Sequence, residues 1–87
     1  MRFFLKVFTD DEKDFLIKEI NQETAVFINE NSMVYIDESI SSLVLNTNIV
    51  DIQKNTIEMI LKPYDQDNIK KEDVEYFLKN GWEKVKA

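Results

Sequence analysis

Apolar and polar positions along this 87-residue chain change period several times. Residues 2–8, RFFLKVF, are rich in aromatic and branched side chains and predict a strand. Apolar groups fall on both of its faces (Phe3, Leu5 and Val7 against Phe4 and Phe8), which predicts a central strand covered on two sides. Residues 9–12 fit a capping box, with the Thr9 hydroxyl and the Glu12 carboxylate satisfying each other's backbone N–H. Asp10 and Asp11 would sit in the first turn, where the helix dipole favours anions. Phe15, Leu16 and Ile20 follow at helical spacing, with Lys18 and Glu19 outward, so a helix is expected directly after the first strand.

Segments 24–29 (TAVFIN) and 33–37 (MVYID) flank a short polar break and predict an antiparallel hairpin. Residues 42–46, SLVLN, predict another short strand. Segment 48–63 supports two readings. On a helical wheel Ile49, Ile52, Ile57, Ile60 and Leu61 share one face, with Asn48 as cap and Pro63 as stop. It also divides at Lys54-Asn55 into Val50/Ile52 and Ile57/Met59/Leu61, both with period two and heavy in β-branched residues. The hairpin is the preferred reading. Residues 63–68 read as a loop, and residues 71–80 as a final helix with Val74, Phe77 and Leu78 inside. Gly81, the only glycine, follows where a left-handed C-terminal cap is wanted. A Schellman cap would fold Trp82 back onto Phe77, making Trp82 a structural plug.

The expected fold is therefore α+β in a single domain over 1–87. It has a small antiparallel sheet of four to five strands and two helices, one after strand 1 and one near the C-terminus. The alternative has three helices, with 48–61 helical. A domain of this size buries only about 60–65% of its unfolded surface. With no cysteine to staple it, the fold must rest on apolar packing, for which the 44% hydrophobic content, six Phe, three Tyr and one Trp are sufficient material.

Composition narrows the chemistry. Without histidine or cysteine the usual general base, the Ser–His and Cys–His nucleophiles and the common zinc ligands are missing. One glycine leaves no phosphate-cradling loop. Ser32, Ser39, Ser41 and Ser42 have no base nearby in sequence. Carboxylate chemistry stays open, because a metal site can be built from acids alone. Asp11-x-Lys13 has a suitable spacing but lies in the expected helix start. Residues 65–68, DQDN, resemble the opening of a calcium loop, yet Lys70 and Tyr76 stand where glycine and glutamate are needed. No catalytic, cofactor or metal residue is assigned, and no cofactor is expected.

The net charge of −6 disfavours direct binding to nucleic acid, which needs clustered Lys or Arg. Lys70, Lys71, Lys79, Lys84 and Lys86 gather near the C-terminus but are interleaved with acids, as on a solvated helix. The acid is concentrated in the middle. Residues 25–69 hold seven acids (Glu30, Asp37, Glu38, Asp51, Glu58, Asp65 and Asp67) against Lys54 and Lys62, so they carry −5 of the −6. These seven are the candidate partner-binding residues, for a protein with a basic surface. A net charge of about 2–8 is also ordinary for solubility alone.

The start MRFFLKVF is interrupted by Lys6 and followed at once by acids, unlike a secretory signal. No run is long enough to span a membrane. A cytoplasmic protein is expected, in a host cell if the source is viral. Lys outnumbers Arg ten to one and Ile and Asn are frequent, which points to an AT-rich bacterial or phage genome. Three roles follow. The first is a non-enzymatic inhibitor or regulator, of the class of phage and mobile-element anti-defence proteins such as anti-CRISPRs, that docks its acids on a nucleic-acid-binding groove. The second is a homo-oligomeric assembly module, a homodimer in its simplest form. The third is a metal-dependent carboxylate enzyme.

Overall fold

A computed structural model describes residues 1–10 and 14–86. The first strand, β1 (Arg2–Phe8), lies near the middle of a six-stranded mixed sheet. The others are β2 (Asp14–Ile20), β3 (Met33–Val34), β4 (Leu43–Asp51), β5 (Thr56–Pro63) and β6 (Glu83–Lys86), in the spatial order β3-β4-β5-β1-β2-β6. Only β1 and β5 run parallel; the other neighbours are antiparallel. Two short helices, α1 (Gln22–Ala25) and α2 (Val74–Lys79, entered through a 3-10 turn at Lys71–Asp73), complete an α+β fold.

Register decides which side chains meet. Phe3, Leu5 and Val7 of β1 align with Ile20, Lys18 and Leu16 of β2, and Phe3 and Leu5 with Ile57 and Met59 of β5. Side chains alternate along a strand, so these positions share one face. Leu5, Val7, Leu16, Leu43, Met59 and Leu61 of that face form one buried cluster with Ala25 of α1, Val74 and Phe77 of α2, Ile69 and Trp82. Ile28, Ile36 and Ile40, from the connections around β3, pack against the same cluster.

The opposite face carries Phe4, Lys6, Phe8, Phe15, Ile17, Glu58 and Ile60. Among the described residues no helix covers it, so β1 is central in the sheet but covered on one side only. The apolar groups there shelter one another. The Lys6 amine lies 4.1 Å from the Phe15 ring centroid and 5.3 Å from that of Phe8. It also pairs with Glu58 at 3.4 Å. Ile60, beside Lys6 in the register, is only 5% exposed although it lies outside the main core. A lysine stem covers apolar surface well while its charge finds partners.

The helix expected after strand 1 is instead β2. The Thr9 N–H and hydroxyl both donate to the Asp14 carbonyl, at 3.3 and 3.2 Å, where β2 begins. Asp11, Glu12 and Lys13, with the capping-box glutamate and the Asp11-x-Lys13 pair, lie outside the described residues. Six cross-strand pairs, from Phe3↔Ile20 to Phe8↔Phe15, outweigh the helical spacing of Phe15, Leu16 and Ile20. Lys18 also points inward rather than outward, donating at 2.8 Å to the Asn80 carbonyl at the end of α2, where a cation is favoured.

The hairpin expected over 24–37 is replaced as well. The Asn21 side chain accepts from Thr24 N–H at 2.8 Å and starts α1. Beyond it the Ser32 hydroxyl donates to the Phe27 carbonyl, and Asn29 N–H donates to Ser32 Oγ. Such short side-chain bonds draw the backbone out of a ladder, and only Met33 and Val34 remain as strand.

Residues 48–63 form the preferred hairpin, not the helix. Asn55 turns it at φ 59°, a left-handed conformation asparagine tolerates, and Asp51 Oδ1 accepts from Lys54 N–H at 2.9 Å. The C-terminal cap forms as expected. Gly81 sits at φ 88°, Gly81 N–H donates to Leu78, and Trp82 N–H donates to Phe77. This is the Schellman pattern. It seats the buried Trp82 edge-on against Phe77, with ring centroids 5.1 Å apart. Lys84 and Lys86, expected on a solvated helix, lie on β6, where Lys84 pairs with Asp14 at 3.4 Å.

Candidate functional site

β5 ends at Pro63, and the chain then loops through residues 64–70. Ile69 fastens that loop. It is buried in the core, and its N–H donates to the Phe8 carbonyl at 2.9 Å. Residues 35–42, between β3 and β4, are fastened by Ile36 and Ile40, which are partly buried against the same core. With the apolar residue of each loop inside, the acids are left outside: Glu38, Asp65 and Asp67 are exposed.

The two loops meet across a cavity of about 180 Å³ lined by Ile40, Ser41, Asp65, Gln66, Lys70 and Asp73, with Phe77 at its apolar base. Two carboxylates, an amine and a hydroxyl therefore surround one recess. Asp65 and Asp73 can receive a cationic side chain there, and Lys70 partly balances them.

Asp37 secures the base of the first loop. Its carboxylate accepts from the Ser39 N–H at 2.9 Å and from Asn80 Nδ2 at 3.0 Å, while the same Asn80 amide donates to the Tyr76 carbonyl. The Ser39 N–H, and after it Asn80, hold the Asp37 carboxyl below the usual aspartate range; nearby Lys79 helps, and partial desolvation opposes them. A depressed native pKa means that the ionised group stabilises the fold above the ordinary aspartate value. That contribution is lost as pH falls through the lowered one. The stability gap between the parent protein and Asp37→Asn is therefore expected to be level near neutrality and to shrink below about pH 4. Urea unfolding over a pH series measures it, and a gap unchanged into strong acid would contradict the assignment.

The seven acids singled out in the sequence do not form one surface. Asp37, Glu38, Asp65 and Asp67 belong to the two loops at this end. Asp51 ends β4 at the far end of β5, roughly 25 Å away along an eight-residue strand. Glu58 is on the open sheet face, tied to Lys6. Glu30 is exposed in the turn after α1. Asp73 was absent from that set because its place in the sequence is a helix start with compensating lysines. Only the return of the 64–70 loop onto the 3-10 turn brings it to the same recess as Asp65, and no local pattern announces that placement.

Among the described residues no group of three or more Asp or Glu is placed to hold a metal ion, and no helix is long and apolar enough to cross a membrane. Comparison of the chain with known protein families, with curated proteins and with solved structures finds no match.

Proposed function

We propose that this is a non-enzymatic binding protein, an inhibitor or regulator, whose two acidic loops dock on a basic, nucleic-acid-binding groove of a partner protein. One observation carries the reading. Separate parts of the sequence, 40–41 and 65–66, line one recess, and the loops that carry Glu38 and Asp67 are held by the buried Ile69 and the partly buried Ile36 and Ile40. Carboxylates positioned before binding lose little conformational freedom on docking. Spaced acids of this kind imitate phosphates, and a lysine or arginine of the partner fits between Asp65 and Asp73. Glu30, Asp51 and Glu58 contribute only a diffuse field, which speeds encounter. The residue usage of an AT-rich genome and the small acidic domain suit an anti-defence protein of a phage or mobile element.

The test compares the parent protein with a Glu38→Lys, Asp65→Lys, Asp67→Lys variant, each immobilised and exposed to bacterial lysate at low and high salt. Basic proteins are expected to be retained by the parent at low salt, released at high salt, and not retained by the variant. Each captured protein is then assayed for DNA or RNA binding with the parent protein added, and loss of that binding is expected. Equal capture by parent and variant, or capture that leaves nucleic-acid binding intact, defeats the reading. All three side chains are exposed, so the variant is expected to keep the parent's circular dichroism.

A further inference from the structure

The two long edges of the sheet differ in how they are guarded. β6 presents Glu83, Lys84 and Lys86, alternating charges that discourage another strand from pairing. At the other side, β3 covers β4 only at Leu43 and Val44. Beyond them the ladder with β5 has a bulge between Leu45 and Thr47, and β4 then runs regularly from Thr47 to Asp51 with no strand pairing on its outer edge among the described residues. That stretch contains no Lys, Arg or Pro. Ile49 and Val50 are half-exposed on opposite faces of the sheet, and Ile52 at the turn is 88% exposed. β-branched residues left in water on an unguarded edge are suited to strand addition.

Charge indicates the occupant. Residues 39–50 form an uncharged run of twelve, the longest in a chain of net charge −6. Two copies of so acidic a protein repel one another overall, and this run lets them meet without opposing like charges. We infer that the outer edge of β4, Thr47–Asp51, pairs antiparallel with the same segment of a second copy about a two-fold axis at Ile49. In this register Ile49 lies beside its own counterpart, Asn48 beside Val50, and Thr47 beside Asp51. No like charges are opposed, and each Thr47 hydroxyl can donate to an Asp51 carboxylate. The contact is isologous and closes at two subunits. Five residues a side, with Ile52 at the margins, bury less than the roughly 1,200 Å² of a firm complex, so the dimer is weak, in the micromolar-to-millimolar range. Both acidic loops are at the other end of β5 and stay accessible, so this inference is independent of the docking proposal.

Sedimentation equilibrium over a wide concentration range tests it. The mass is expected to rise from 10.3 kDa towards twice that value. Association tightens as salt is added, because screening relieves the repulsion; salt has the opposite effect on docking through the acids. Ile49→Lys, which sets two amines against each other across the axis, and Thr47→Asp, which sets a carboxylate against Asp51 at each end, are each expected to weaken the dimer by about tenfold or more. Ile49→Lys brings the net charge closer to zero, so its weakening arises at the contact and not from the overall charge. On the unmodified protein, backbone amides within 47–51 are expected to gain hydrogen-exchange protection with concentration while those of β6 do not. A monomer at the highest attainable concentration overturns the inference. So does a dimer unaffected by both substitutions, or protection that appears elsewhere.

Discussion

Replacing Phe77 with alanine is expected to lower the free energy of unfolding by about 3–5 kcal/mol. The ring is fully buried, touches the core under the sheet and lies edge-on to Trp82. Three losses coincide: the transfer free energy of the ring, the void it leaves, and an aromatic contact worth about 0.5–1.5 kcal/mol beyond area alone. A domain of this length is stable by roughly 4–13 kcal/mol, at about 0.05–0.15 per residue, so the variant is expected to lose a large part of its stability. Its melting temperature should fall by about 4–8 °C for each kcal/mol. Phe77→Leu keeps most of the volume and loses the edge contact, so a cost under about half that of alanine is expected. Chemical denaturation of the three proteins is the measurement. A Phe77→Ala midpoint close to the parent's would mean that α2 does not pack under the sheet.

Leu16→Ala is expected to cost about 2–5 kcal/mol. Leu16 is fully buried opposite Val7 on the covered face of β2. Its neighbours Phe15 and Ile17 point to the open face and are only partly buried. An alanine series through 15, 16 and 17 should therefore peak at 16, with the period of two that belongs to a strand. A helix would group 15, 16 and 20 on one side and make 17 nearly neutral. Urea unfolding of the three variants distinguishes these outcomes, and large equal losses at 15 and 16 with none at 17 would exclude the β1–β2 hairpin.

The candidate site was partly legible in the sequence. Concentration of acid in residues 25–69 is visible by counting, and it drew attention to the two loops that meet. Counting could not separate Asp65 and Asp67 from Glu58. Glu58 lies on a strand whose register brings Lys6 within 3.4 Å, and that partner is 52 residues distant in sequence. Nor could it add Asp73, whose place in the same recess as Asp65 depends on a loop closing.

Three features were determined by the sequence alone, because the contacts behind them are short-range. Residues 48–63 turn back at Asn55 because β-branched residues alternate on either side of a residue that accepts a left-handed turn. The C-terminal helix stops at Gly81 and returns Trp82 to Phe77 because a Schellman cap is written within six residues. The α+β class follows from the mixture of periods. Tertiary structure alone decided the remainder. Residues 14–20 became a strand instead of a helix because β1 offered six pairing positions. The parallel pairing of β1 with β5, and the short charged β6 against β2, join residues more than fifty positions apart. Local propensity carries no signal for such partners, since their pairing is stabilised only once the intervening chain has folded.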